Sequence, residues 1–98
     1  MITSKQRSFL KGLGHNLSPV VSIGKNDLTE NVLKEIDVAL ENKELIKIKI
    51  QDGSVLTAKE TASKVAELMK AEFVQAIGKK FTIYRKSEEN PEIVLPRK

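Results

Sequence analysis

The stretch Leu45-Ile46-Lys47-Ile48-Lys49-Ile50 alternates strictly between two kinds of side chain. In an extended chain its three isoleucines fall on one side, and its two lysines fall on the other side together with Leu45. This alternation predicts a β-strand with one buried face and one polar face. The two lysines fit either an anion-binding surface or a solvated strand guarded by charge, and the pattern alone leaves both open.

Helical periodicity, β-branched runs and turn residues define the elements on both sides of this strand. The predicted elements are a helix over 4–14, a strand over 20–23, a helix over 29–42, the strand over 45–50, a helix over 57–71, and strands over 73–77 and 81–85. The order α-β-α-β-α-β-β predicts an α/β fold of two or three layers with a mixed four-stranded sheet. Its last two strands are expected to form a hairpin at Gly78-Lys79. The order of the strands within the sheet does not follow from these patterns.

Several local details of these elements are also expected. Phe9, Leu10 and Leu13 are predicted to share the buried face of the first helix. Thr3 or Ser4 is predicted to cap the first helix, and Asp27 or Thr29 the second. The third helix is predicted to open with a capping box formed by Thr57 and Glu60.

Length and composition indicate one globular domain over 1–98, with residues 90–98 as a C-terminal tail. The chain has no cysteine and one histidine, so disulfides and thiolate metal sites are excluded and a zinc site is not expected. No apolar run approaches the roughly 20 residues needed to span a bilayer, and the first residues lack a secretory apolar core. We therefore expect a cytoplasmic protein that does not bind membranes.

Catalytic signatures are missing from the sequence. There is no G-x-S-x-G elbow, no phosphate-binding G-x-x-x-x-G-K-[ST] loop and no dinucleotide-binding G-x-G-x-x-G pattern. We therefore expect no enzymatic activity, no catalytic residues, no cofactor and no small-molecule substrate.

Charge is segregated along the chain. Residues 1–26 carry a net charge of +4 and residues 73–87 another +4, neither containing an acid, whereas residues 27–46 carry −4. Two acid-free basic blocks suggest a surface that faces a polyanion, provided that folding brings them together. Chance clustering on a solvated surface explains the same pattern about as well.

The segment Gly24-Lys25-Asn26-Asp27 lies between a predicted strand and the start of a predicted helix. Backbone N–H groups at such a position can face an anion, the helix dipole adds attraction, and Lys25 adds a mobile positive charge. An ordinary strand–helix connection with a turn glycine accounts for the same residues.

Three further residues are candidates for nucleic-acid contacts. His15 can contact a phosphate or a base, or it can satisfy the carbonyls at the end of the first helix. Lys79 lies in the hairpin turn, where lysines are common for solubility alone. Phe81 is expected in the core, whereas Tyr84 is a candidate for an exposed ring that stacks on a base.

Nearly the whole chain resembles one known family, the CRM domain (chloroplast RNA splicing and ribosome maturation). The matching segments, in the family's order, are Lys5-Gln6-Arg7, Leu10-Lys11, His15, Leu17-Ser18-Pro19-Val20-Val21, Ile23-Gly24-Lys25-Asn26, Leu28-Thr29-Glu30, Glu44-Leu45-Ile46-Lys47-Ile48-Lys49, Ile77-Gly78-Lys79, Tyr84-Arg85 and Leu95-Pro96-Arg97. A stand-alone domain of this length is similar to the bacterial YhbY-type members.

This resemblance implies a fold related to the C-terminal domain of translation initiation factor three. It also implies RNA binding, since bacterial members associate with precursors of the large ribosomal subunit and plant relatives act in group II intron splicing. The family's proposed RNA contact is a G-x-x-G loop similar to that of KH domains. Here the loop is Gly24-Lys25-Asn26-Asp27, and Asp27 stands where the family usually has glycine. Its carboxylate either adds negative charge beside the phosphate site or turns back to cap the helix.

We therefore expect a monomeric protein that binds ribosomal RNA or a precursor particle of the large subunit and assists its assembly. One alternative is a protein-interaction module whose acidic second helix docks a basic ribosomal protein. Another is an RNA splicing cofactor that uses the same surface on a different RNA. The candidate RNA-binding residues are Lys5, Lys11, His15, Gly24, Lys25, Asn26, Lys47, Lys49, Lys79 and Arg85.

The loop hypothesis makes a prediction of its own. Lys25→Glu should weaken RNA binding without lowering the melting temperature, because it reverses a charge at the expected phosphate contact. A binding titration and a thermal melt of the same sample test this. Unchanged RNA affinity, or an unfolded variant, would remove the loop from the site.

Overall fold

The fold is known from a computed structural model that describes residues 2–24, 28–52 and 56–97. Three helices and four strands follow one another in the predicted order. They are α1 (Ser4–Gly14), β1 (Val21–Ile23), α2 (Glu30–Lys43), β2 (Leu45–Ile50), α3 (Ala58–Met69), β3 (Glu72–Ile77) and β4 (Lys80–Tyr84). Among these described helices, none is both long enough and apolar enough to cross a bilayer.

The four strands form one mixed sheet in the order β1-β2-β4-β3, which confirms the predicted fold class. β1 runs parallel to β2, whereas β2 pairs with β4 and β4 pairs with β3 in antiparallel fashion. The last two strands form the expected hairpin, where Gly78 adopts a positive φ of 60° that glycine tolerates without strain. β2 and β4 are therefore the central strands, and β1 and β3 are the edges.

The larger hydrophobic core lies between the sheet and helices α2 and α3. Ile46, Ile48 and Ile50 of β2 are completely or almost completely buried there, as the alternation of the strand predicts. They pack with α2, with α3 and with the inward residues of the neighbouring strands. Partners from these elements include Ile36, Leu40, Ala62, Val65, Phe81 and Ile83.

A smaller core lies on the opposite face of the sheet, under α1. Leu10 of α1 packs there against Leu45, Val74 and Tyr84 from three different strands. Ile2 and the C-terminal residues Ile93 and Leu95 pack around this cluster. The domain therefore has three layers where α1 covers the sheet.

The buried face of α1 differs from the predicted one. Phe9 and Leu13 are 39% and 43% exposed, and the buried stripe consists of Gln6, Leu10 and Gly14 instead. These three recur every four residues, which also places them on one helix face. A Cβ added at Gly14 would lie 3.3 Å from a methyl group of Thr82, so the helix approaches the sheet through its glycine.

The prediction that Tyr84 is exposed is wrong. Only 5% of Tyr84 is exposed, because its ring belongs to the cluster beneath α1 and the C-terminal segment lies around it. Burial, and secondarily the negative charge of Glu44, raises the pKa of the Tyr84 hydroxyl. This ring is therefore not available to stack on a base.

Threonine residues cap all three helices. Thr3 and Gln6 form a full capping box at α1, with reciprocal bonds of 3.1 and 3.0 Å between side chain and backbone. Thr29 caps α2 by accepting the N–H of Val32. At α3 the Thr57 hydroxyl accepts the N–H of Glu60 at 3.4 Å, but the reciprocal Glu60 bond of the predicted box is not formed.

The chain after β4 is held against the domain by two carboxylates at the end of α2. Glu44 is only 2% exposed, and its carboxylate accepts the N–H groups of Ser87, Glu92 and Ile93 at 2.9, 2.7 and 2.8 Å. Glu41 accepts the Ser87 hydroxyl and the N–H groups of residues 88 and 89. We call this arrangement the carboxylate latch.

Glu44 carries an unusual backbone conformation and a shifted pKa. Its φ of 65° with ψ of −48° is costly for a residue with a side chain, and such conformations persist where surrounding contacts require them. Burial alone would raise the pKa of its carboxyl, but the three N–H bonds and the charge of Lys86 outweigh burial and lower it. The latch therefore holds an ionised carboxylate.

We predict that Glu44→Gln destabilises the protein by about 2 kcal/mol, because an amide nitrogen would face backbone donors where the carboxylate accepts hydrogen bonds. Unfolding in denaturant at neutral pH measures this loss. The matched control is Glu35→Gln, at an exposed acid of α2, and it should change the free energy of unfolding little.

The stability difference between the wild type and Glu44→Gln should depend on pH. Because the folded-state pKa of Glu44 is lowered, its contribution is complete above the ordinary value of 4.5 and is lost as the pH falls through the lowered value. The stability gap between wild type and Glu44→Gln should therefore narrow at acidic pH. A gap that stays constant through the acid range would show that the charge of Glu44 is not what holds the segment.

Candidate nucleic-acid interface

Beyond the end of α1, the sheet carries lysines that no described helix covers. Lys49 of β2 lies directly opposite Lys80 of β4, and both are exposed. Ser22 and Ile77 extend this row on either side, through their pairing with Lys49 and Lys80. The next row holds Lys47, Thr82 and Gln75. We call the surface formed by Lys47, Lys49 and Lys80 the open lysine face.

The lysines of this face are not neutralised within the described part of the chain. Like charges directly opposite each other on a sheet repel and destabilise the pairing. Within residues 2–24, 28–52 and 56–97, the one ion pair joins Arg85 to Asp37 and involves none of these lysines. The lysines are therefore left to attract an external anion.

His15 borders the open lysine face. It is exposed at the C-terminal end of α1, where its N–H bonds the carbonyl of Gly12 at 3.4 Å. Together with Lys47, Lys80 and Gln75 it lines a shallow depression that also contains Ile77, which is 66% exposed. The structure thus brings His15, Lys47 and Lys49 of the predicted site residues together.

Gly24 lies just beyond the end of the sheet that carries Lys49 and Lys80. It follows β1, and Gln51 follows the parallel strand β2, where the N–H of Gln51 bonds the carbonyl of Ile23 at 2.9 Å. A Cβ at Gly24 would make only an ordinary contact of 3.4 Å with Gln51, so packing alone does not demand glycine. The predicted contacts Lys25 and Asn26, and the helix-cap alternative Asp27, lie outside the described residues.

The two predicted lysines of α1 occupy different sides of that helix. Lys5 is exposed and projects away from the buried stripe formed by Gln6, Leu10 and Gly14. Lys11 projects towards the outer strand β3, where it lies near Val74 and Gln75. Lys11 is therefore continuous with the depression at His15, whereas Lys5 stands apart from it.

Arg85 and Lys79 are used within the protein, on the other side of the sheet. The Arg85 guanidinium bonds the Asp37 carboxylate at 2.8 Å and the backbone carbonyls of Met69 and Asp37 at 3.1 Å each. The Lys79 ammonium donates to the carbonyl of Leu56 at 3.4 Å. Arg85 therefore ties α2 to the end of α3 and does not join the open lysine face.

Lys80 is the residue of this face that sequence reasoning missed. Its position in the hairpin suggests a solubilising lysine, and only the pairing of β2 with β4 places it opposite Lys49. The alternation of Phe81 and Ile83 into the core is a signal in the sequence for the outward direction of Lys80. The adjacent strand cannot be identified from that signal.

Comparison with known proteins gives consistent matches over this whole architecture. A Haemophilus influenzae protein named "RNA-binding protein" is 46% identical over 97 residues, covering 99% of this chain and 97% of that protein. The Bacillus subtilis "Probable RNA-binding protein YqeI" is 34% identical over 96 residues, covering 98% of this chain and 100% of YqeI.

A solved structure and a family model agree with these relatives. The solution structure of the Staphylococcus aureus protein SAV1595 superimposes with a TM-score of 0.83 at 45% identity, covering 98% of this chain and 100% of that one. The model of the CRS1 / YhbY (CRM) domain matches residues 2–85, which include every helix and strand described above. The chain therefore belongs to the CRS1 / YhbY (CRM) domain family.

Proposed function

We propose that this protein is a non-catalytic RNA-binding protein of the cytoplasm that binds RNA through the open lysine face. The observation that carries the proposal is the row in which Lys49 stands opposite Lys80, with no described acid paired to either. Such a face matches the regular negative charges of a nucleic-acid backbone. The names of the relatives support RNA as the polyanion.

We further propose that the RNA is large-subunit ribosomal RNA or its precursor particle, and that the protein assists assembly of that subunit. The basis is the resemblance of the whole chain to stand-alone bacterial members of the family. Phosphate contacts position a protein without revealing which RNA it meets, so the particle must be identified directly. A splicing cofactor would use the same face on an intron.

The alternative of a protein-docking site on the acidic second helix receives less support. Asp37, Glu41 and Glu44 supply half of the acids in the −4 segment, and all three are engaged within the chain. Asp37 pairs with Arg85, and the two glutamates form the carboxylate latch. Few of the charges in that segment are left for a basic partner.

The particle is identified by sedimentation of the tagged, full-length protein from a cell lysate through a gradient at low and at high salt. We expect co-migration with large-subunit precursors at low salt and release at high salt, because phosphate contacts weaken as salt rises. Co-migration with an intron-containing RNA would favour the splicing role. Association that is insensitive to salt would argue against backbone contacts altogether.

The open lysine face is tested by the double variant Lys47→Glu/Lys49→Glu. We expect RNA affinity to fall about tenfold and the slope of log affinity against log salt to become shallower by roughly 1.4. The fold should be retained, because the carboxylate introduced at position 49 would face Lys80 and replace a repulsive pair with an attractive one.

The matched control for this variant is Lys34→Glu/Lys64→Glu, which makes the same change in net charge at exposed positions on α2 and α3. It should bind RNA almost as well as the wild type. Equal losses in both double variants would mean that net charge, not the open lysine face, governs binding.

A further inference from the structure

A second group of cations lies beside β3, the outer strand of the sheet. Arg7 and Lys11 project from α1 on one side of this strand, and Lys59 projects from the first turn of α3 on the other. Together with residues 73–76 they line a shallow groove, which we call the edge groove. Among the described residues no acid lines it, and the nearby Glu72 carboxylate accepts the N–H of Ile2 at 3.3 Å.

The edge of β3 is poorly suited to pairing with another strand. A register shift between Phe73 and Gln75 interrupts its regular ladder. The Nε of Arg7 donates to the Phe73 carbonyl at 3.1 Å and so occupies one of the acceptors that an added strand would use. Bulges and charged side chains of this kind protect sheet edges against strand addition. The groove is therefore a poor site for an extended peptide but retains its positive charge.

Arg7 is held in a geometry that suits a phosphate. Its Nε is fixed on the strand, while its two terminal nitrogens have no hydrogen-bond partner among the described residues. A planar guanidinium anchored in this way presents two parallel N–H donors, which match two oxygens of one phosphate. Less side-chain entropy is lost on binding because the side chain is already half-buried and oriented.

The edge groove is continuous with the open lysine face. Arg7, Lys11 and His15 recur every four residues and so follow one side of α1. Gln75 lines both the edge groove and the depression at His15. Basic side chains therefore lead from Lys80 past His15 and Lys11 to Arg7. Because α3 packs on the opposite face of the sheet from α1, a ligand that also reaches Lys59 must bend around the sheet edge.

We propose that the edge groove is the second half of the RNA site and binds the backbone of a single-stranded RNA segment, with one phosphate held by the terminal nitrogens of Arg7. A single strand can turn from the open lysine face around the edge of the sheet, whereas a double helix is too stiff to do so over a few base pairs. This inference rests on the proposed function, because it extends the same RNA site.

The first test uses Lys11→Ala/Lys59→Ala in the full chain, with Lys34→Ala/Lys64→Ala as the matched control, since all of these lysines are exposed. The probe is an oligouridine of about 16 nucleotides, the upper end of single-strand site sizes for small domains. We expect several-fold weaker binding and a salt slope shallower by roughly 1.4 for the groove variant only. A blunt RNA duplex of the same length should show a much smaller loss.

The second test separates the geometry of Arg7 from its charge. Arg7→Lys keeps the charge but loses the paired donors and the anchoring bond to Phe73. We expect several-fold weaker oligouridine binding with an unchanged salt slope, and a melting temperature that falls by only a few degrees because the bond to Phe73 is lost. Full affinity in this variant would show that Arg7 acts only as a charge.

Three outcomes would overturn the inference. If the groove variant binds like its control while Lys47→Glu/Lys49→Glu loses binding, the RNA site ends at the open lysine face and the proposed function stands. If the duplex loses as much affinity as the single strand, the single-strand assignment is wrong. If an oligoglutamate peptide binds in a manner that depends on Lys11 and Lys59 while oligouridine does not, the groove serves an acidic protein. If neither Lys47→Glu/Lys49→Glu nor Lys11→Ala/Lys59→Ala weakens RNA binding, the proposed function itself is contradicted.

Discussion

The two-residue period of β2 is the constraint on which the rest of the molecule depends. Its isoleucines fill the core between the sheet and the helices α2 and α3, and its lysines stand on the reverse of the same strand. A shift of one residue in pairing would put lysines into the core and isoleucines into solvent. The burial that stabilises the domain thus also sets the spacing of the lysines on the open lysine face. The larger hydrophobic core and the open lysine face therefore lie on opposite sides of one strand.

Positive and negative side chains have different roles in this domain. Carboxylates in the middle of α2 and at its C-cap are engaged within the chain, because Asp37 binds Arg85 and Glu44 binds backbone donors. The cations of the open lysine face and of the edge groove have no such carboxylate partners among the described residues. This division explains how a chain with a net charge of only +4 can present two strongly basic surfaces. The distribution of charge matters more than its sum.

Local sequence patterns predicted the helices and strands well, because the periodicity of each element depends on which of its own neighbouring residues are buried. Contacts between distant segments were not accessible in the same way. Lys80 joins the open lysine face only because β4 pairs with β2, and Tyr84 is buried only because α1 and the C-terminal segment converge on it. Arg85 belongs to a basic block in the sequence, yet an acid 48 positions away takes up its charge. Each of these outcomes depends on tertiary pairing, which no single stretch encodes.

The donors that grip Glu44 are all main-chain amides, and this has an evolutionary consequence. Every amino acid except proline supplies such a donor. This contact therefore constrains positions 87, 92 and 93 only by excluding proline. The identity of the acceptor, by contrast, is tightly constrained. Among homologous genes, the carboxylate latch should therefore leave a variable terminal segment and a nearly invariant glutamate at position 44.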